Sequence, residues 1–298
     1  MTELSGNAPT LEVGELTEDE AYQLAEALKL QLADQQLPSS DEASIKKMVA
    51  GLGDQRGALR LTFAQSLGSV GEAAIPILCV ALKSNPNVVI RRASAKTLNI
   101  IGSELALPNL IEAFETDNDP VVQGSSAGAM ATIGIPAIES LLKILSNEKC
   151  TAFQVGLINL ALSFIGAKAP DAFTTATKSK NPEIRIAALT ALSEQVHSGA
   201  NKSAKNILLA ALKDEEAEVR AEAATITGKA LEPEEAEADL IALLTDSSPQ
   251  VRKNTALALM KMESINSIKH LAASIENETD TQVKAVMKVA KDQLKESR

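Results

Sequence analysis

Tryptophan is absent from this 298-residue chain, tyrosine occurs once and phenylalanine five times. A core so poor in aromatics must be assembled from Ala, Leu, Ile and Val. That suits closely packed helices better than β-sandwiches, which draw on aromatic and β-branched residues. Cysteine is almost as scarce: Cys79 and Cys150 sit far apart in apolar helical patterns. A secreted chain of this size would not rely on so few, so a reducing, cytoplasmic compartment is expected. Histidine appears only as His197 and His270, neither with a Cys, Asp or His at ligand spacing. Neither a metal site nor a catalytic constellation is therefore expected, and both cysteines read as packing thiols.

A basic stripe is also missing. Net charge is −10, and residues 1–42 hold ten acids against the single base Lys29, leaving the rest of the chain almost neutral. Nothing is arranged to neutralise phosphates or an anionic bilayer, which argues against nucleic acid and membrane as partners. Residues 1–14 lack the apolar core of an export signal. The uncharged stretch 150–167 is broken by Thr151, Gln154, Asn159 and Ser163, and it falls in phase with a repeat, so it does not read as a membrane span.

What the chain does contain is that repeat. A polar turn is followed by Val or Ile, then Arg, then alternating small and large apolar residues: PNVVIRRASAKTLNIIG (86–102), NPEIRIAALTALSEQV (181–196), EAEVRAEAATITGKAL (216–231) and SPQVRKNTALALMKM (248–262). The Arg position falls at Arg60, Arg91, Gln123, Val155, Arg185, Arg220, Arg252 and Lys284, about every 32 residues. Apolar residues at −1, +4, +7 and +10 from it have helical spacing, as in Ile90, Ala95, Leu98 and Ile101. A second apolar helix precedes the turn in most units, for example IPILCVALK and LPNLIEAF. Each unit is then a helical hairpin that buries its faces only by stacking on its neighbours. Gly71, Gly102, Gly134 and Gly166 follow at repeat spacing and are expected to end helices with positive φ.

The Pro-x-Val-Arg opening and the packing Ala of the second helix resemble HEAT repeats. The compact unit length is similar to that of the phycobilisome lyase E/F family of cyanobacteria and red-algal plastids. The expected fold is all-α, a right-handed HEAT-like α-solenoid of about eight hairpins over residues 40–298. Before it, residues 1–16 are expected to be a disordered acidic terminus and 17–36 a helix opened by the capping box Thr17 to Glu20.

Two features bear on function. Arg91, Arg185, Arg220 and Arg252 form either a ligand-binding row or a ladder that pins each unit to the next through turn carboxylates. Residues 232–237, rich in Glu, read as a solvated helix start or as a dock for a basic partner. More informative is a departure from the pattern. The outward positions of the second helix carry charge in most units, yet 120–138 and 150–167 contain none. There the outward positions include Ser125, Ala129 and Thr132 in one helix and Leu157, Leu160 and Phe164 in the next. These six residues are the candidate protein-binding patch, because exposed apolar surface marks partner sites. The competing readings are a slipped register or coverage by the N-terminal helix.

The expected function is a protein-binding scaffold or chaperone-like assembly factor acting on a cofactor-carrying client. That client is a phycobiliprotein or a cofactor-assembly protein such as an iron–sulfur carrier, and a second HEAT-like subunit is a further candidate partner. No cofactor of its own is expected on this reading. The family resemblance implies an alternative, a phycobilin lyase subunit that attaches or transfers a bilin on a phycobiliprotein. Whether the chain is an enzyme is left open by its residues.

Overall fold

The computed structural model describes residues 16–197 and 202–296, and among them every regular element is helical. The expected disordered terminus, apart from Leu16, lies outside the described residues. The chain forms two compact units that divide between Ser140 and Leu141.

The first unit contains α1 (Glu18–Ala33), α2 (Glu42–Gly51), α3 (Gly57–Val70), α4 (Ile75–Ser84), α5 (Val88–Ile101), α6 (Leu107–Thr116) and α7 (Pro120–Ile133), and the division falls inside α8 (Ile138–Leu145). Thr17 caps α1 in a reciprocal box with Glu20, as its spacing predicts, and the acids of the first turn face the positive end of the helix dipole. Ala21, Ala25 and Leu28 bury the inner stripe of α1, which packs on α3. That places α1 at the beginning of the stack. Polar caps then open the second helices, Asn87 before α5 and Asp119 before α7. The run Gly57–Ser84 is long and apolar enough to cross a membrane by composition, but half of it is buried, and Gly71 at φ 72° breaks it into α3 and α4.

The second unit contains α9 (Ala152–Lys168), α10 (Pro182–His197), α11 (Lys202–Ala211), α12 (Ala217–Ala230), α13 (Pro233–Leu243), α14 (Pro249–Lys261), α15 (Ile268–Asn277) and α16 (Thr281–Glu296). Its fifth hairpin lacks a regular first helix. Two 3-10 turns, Pro170–Phe173 and Ala176–Lys178, stand there, because a Thr-rich stretch with Thr174, Thr175 and Thr177 is a poor helix former. Phe173, fully buried, supplies the core that the missing helix would have given.

Second helices stack on one another in each unit, α3 on α5 on α7 in the first and α9 on α10 on α12 on α14 on α16 in the second. The residue six positions after each Arg lies in this seam. Thr97 and Ala129 in the first unit, and Ala161, Ala191, Ile226 and Ala258 in the second, are all buried. Small residues dominate because the helices approach closely: a Cβ on Gly166 would lie 2.2 Å from the Ala191 carbonyl oxygen. Gly166 is thus a packing glycine inside α9 and not the helix terminator its spacing suggests. Gly71, Gly102 and Gly134 do adopt positive φ at helix ends.

The Arg column is a structural ladder. Arg185 reaches Asp214 (2.9 and 2.7 Å), Arg220 reaches Asp246 (2.8 and 2.9 Å) and Arg252 reaches Glu278 (2.7 and 2.8 Å). In the first unit Arg91 reaches Asp117 at 2.7 Å. Each guanidinium also donates to the carbonyl six residues back, and Gln123 and Lys284 repeat that bond with shorter means. Val155 has no donor to offer. The all-α, HEAT-type fold with about eight hairpins is as expected.

Candidate functional site

Helix α9 departs furthest from an ordinary repeat helix. Thr151 caps it in a second reciprocal box, with Gln154, and of the helix's 17 residues only the last, Lys168, is charged. One side is core: Ile158, Leu162 and Ile165 are buried. The other side is apolar too, and it faces solvent. Leu160 is 68% exposed, Phe164 55% and Phe153 50%, with Leu157 half-buried among them. Gly156 lies in the same stripe, with nothing within 4 Å of where its Cβ would be. Residues 153, 157, 160 and 164 follow the spacing of a single helix face. Lys168 closes the stripe, its Nζ 4.8 Å from the centre of the Phe164 ring. A cation over an aromatic face gains electrostatic stabilisation while its remaining donors stay in water.

On α9 the outward positions are those the repeat offsets predict: Leu160 and Phe164 are exposed. Phe153, one heptad before Leu160, belongs to the same face, although it precedes the repeat positions counted from Val155. On α7 the outcome is mixed. Thr132 is exposed and Ser125 half-buried, whereas Ala129 is 0% exposed. Ala129 is corrected to a packing residue: it occupies the +6 column, which is buried throughout. The exposed turn of α7 carries Gly128 instead. α7 belongs to the first unit and α9 to the second.

The remaining reactive groups are set apart from this face. Cys79 is buried in α4, and burial pushes its thiol up to about 11, which makes it inert. Cys150, half-buried, precedes the cap of α9. His270 lines a hollow of about 490 Å³ beside the ladder pair Arg252 and Glu278, while the side chain of His197 lies outside the description. Among the described residues no three His, Cys, Asp or Glu side chains converge as metal ligands. Chemically the arrangement offers an apolar, partly aromatic strip ending in one cation. It can bind a flat apolar group that carries negative charge.

The chain matches the HEAT-repeat family over residues 45–131 and 206–290. It is 63% identical over 294 residues to the bilin biosynthesis protein MpeU of Synechococcus sp. (strain WH8020), an alignment covering 99% of each chain. It is 29% identical over 131 residues to an uncharacterized phycocyanin operon protein Z of Pseudanabaena tenuis (strain PCC 7409), covering 41% of this chain and 64% of that one. Among solved structures, Kap95p in a study of its binding to RanGDP is similar with a TM-score of 0.53 at 14% identity, over 96% of this chain and 45% of that one. That likeness concerns the fold alone.

Proposed function

Because the chain belongs to the HEAT-repeat family of bilin biosynthesis proteins of the phycobilisome lyase type, we propose that it is a bilin lyase or lyase subunit. On this reading it attaches or transfers an open-chain tetrapyrrole on a phycobiliprotein in the cytoplasm. The observation that carries the reading is the 63% identity to MpeU over 99% of both chains. A likeness of that extent covers the outward faces of the repeat helices as well as the core, and outward faces are where repeat proteins hold partners.

We assign the outward face of α9, with Leu157, Leu160 and Phe164, to the bilin and the client that carries it; Ser125 and Thr132, on α7 of the other unit, are a separate candidate contact. The stripe supports this assignment, because apolar side chains left in water contribute binding energy only once a partner covers them. Bilin is then substrate, not a resident cofactor. A second HEAT-like subunit is a further partner.

The test is co-expression with phycobiliprotein subunits and a bilin supply, reading covalent bilin by zinc-enhanced fluorescence on a denaturing gel. An adduct above the level seen without this chain is expected. If none forms, and the chain still captures the apo-phycobiliprotein, it is a scaffold or chaperone and not a lyase.

A further inference from the structure

The α9 stripe is narrow. Its seam neighbour α10 offers buried Ala187 and Ala191 and half-buried Thr190, whose hydroxyl is already bonded to its own helix at the Ile186 carbonyl. The strongly apolar, exposed surface in this part of the second unit is therefore confined to one helix. A stable protein interface needs roughly 800 Å² from each partner, with polar groups satisfied around an apolar centre. A single strip one helix wide, with an aromatic ring at each end, suits a smaller, flatter occupant.

Charge sharpens the choice. Lys168 is the one charged residue of α9, and it is poised over the ring of Phe164 at the end of the apolar row. From Leu157 to Lys168 the helix advances about 16 Å. An aromatic face invites a conjugated ring system, and a cation fixed beside it invites a carboxylate.

Resting on the bilin-attachment reading, we infer that the α9 stripe holds the open-chain tetrapyrrole itself, with its pyrrole rings against Leu157, Leu160 and Phe164 and one propionate on Lys168. Phe153 bounds the opposite end. The lysine sets the direction in which the chromophore lies, because within α9 it is the one cation and stands at one end of the row. The apolar row supplies most of the contact, and the ion pair supplies orientation.

The experiment uses the full chain and two probes, biliverdin and its dimethyl ester, titrated while the long-wavelength absorbance and induced circular dichroism are followed. Wild type should bind biliverdin saturably and the ester about tenfold more weakly, the equivalent of about 1.4 kcal/mol. Lys168→Gln should lower biliverdin to the affinity of the ester and leave the ester unchanged. Leu160→Asp, at an exposed position that keeps the helical spectrum intact, should weaken both probes more than tenfold. Biliverdin bound equally by wild type and both variants would place the chromophore elsewhere. No saturable binding by wild type would overturn the inference as well. If co-expression nonetheless yields bilin-carrying client, the attachment reading stands and the stripe serves the client's protein surface. If co-expression yields none while the titrations behave as expected, the stripe binds tetrapyrrole and the attachment reading fails alone.

Discussion

Arg252 on α14 grips Glu278 on the turn before α16 with two parallel bonds of 2.7 and 2.8 Å, and its third arm donates to the Asp246 carbonyl at 2.8 Å. One side chain thereby ties the turn before α14 to the turn before α16. Glu278 is almost completely enclosed, and the bonded guanidinium, more than any other group, holds its carboxyl at about 2, against an ordinary 4.5. A depressed carboxyl contributes stability that is complete above its unfolded value and lost as pH falls. The last hairpin should therefore be firm above pH 4.5 and loosen progressively as pH falls toward 2. Arg252→Ala leaves a buried carboxylate without its cation and should cost about 3 kcal/mol. Because repeats are stabilised by their neighbours, the loss should appear as an early urea transition of α15 and α16, and not as uniform melting.

Positions 129 and 160 test the register. Both read as outward, yet Leu160 stands in water and Ala129 lies in the helix seam. Leu160→Lys should change stability by no more than about 0.5 kcal/mol. Ala129→Lys drives a charge into a fully buried position and should cost several kcal/mol. Thermal melts of the two variants check this directly. A comparable loss at both positions would mean that Leu160 is covered.

How legible this was in the sequence follows from which interactions are periodic. The Arg ladder and the outward direction of Leu160 and Phe164 follow fixed offsets within the repeat, and the cap at Thr17 is legible from its own capping-box spacing. Ala129 failed because alanine is equally at home in a seam and on a surface; its side chain carries no sign of which. Gly166 failed for a related reason. Its spacing matches the terminating glycines, but its need is for the absence of a Cβ beside Ala191, which depends on the neighbouring helix. The two 3-10 turns of the fifth hairpin rest on a Thr-rich stretch particular to that unit, so the repeat does not announce them. The Lys168 to Phe164 stack required coordinates.

Glycine in these helices falls into two kinds, which substitution separates. A Cβ on Gly228 of α12 would stand 2.4 Å from the Ala258 Cα of α14. Gly228→Ala must push two helices apart, at a cost of about 1 to 3 kcal/mol. Gly156 meets nothing within 4 Å, so Gly156→Ala should instead stabilise α9 by about 0.5 to 1 kcal/mol through helix propensity. Opposite signs of the two shifts in denaturant midpoint are the expected result.

Glu222 on α12 and Asn254 on α14 occupy the same place in successive repeats, two residues after Arg220 and Arg252. Asn254 uses its amide well: it donates to the Ala221 carbonyl at 3.1 Å and to the Thr225 hydroxyl oxygen at 3.0 Å on the preceding helix. By the same repeat offset Glu222 would face the Ile186 carbonyl and Thr190 hydroxyl of α10, which are bonded to each other at 3.0 Å as Thr225 and Ala221 are. Both are oxygen acceptors, and a carboxylate has no proton to give them. Burial accordingly raises the Glu222 carboxyl above its usual 4.5, with Lys229 only partly opposing the shift. A raised carboxyl binds its proton more tightly in the folded state, so stability is greatest below pH 4.5 and falls as pH rises through the folded value. Glu222→Gln keeps the shape and supplies the missing donor. At pH 8 it should stabilise the protein by about 0.5 to 1.5 kcal/mol, the net contribution of one good amide bond. At pH 4 the gain should shrink, because the protonated acid can then donate as well. Urea titrations of both proteins at the two pH values measure the difference. A gain equal at both, or a loss at pH 8, would mean that Glu222 does not take the place that Asn254 takes one repeat later.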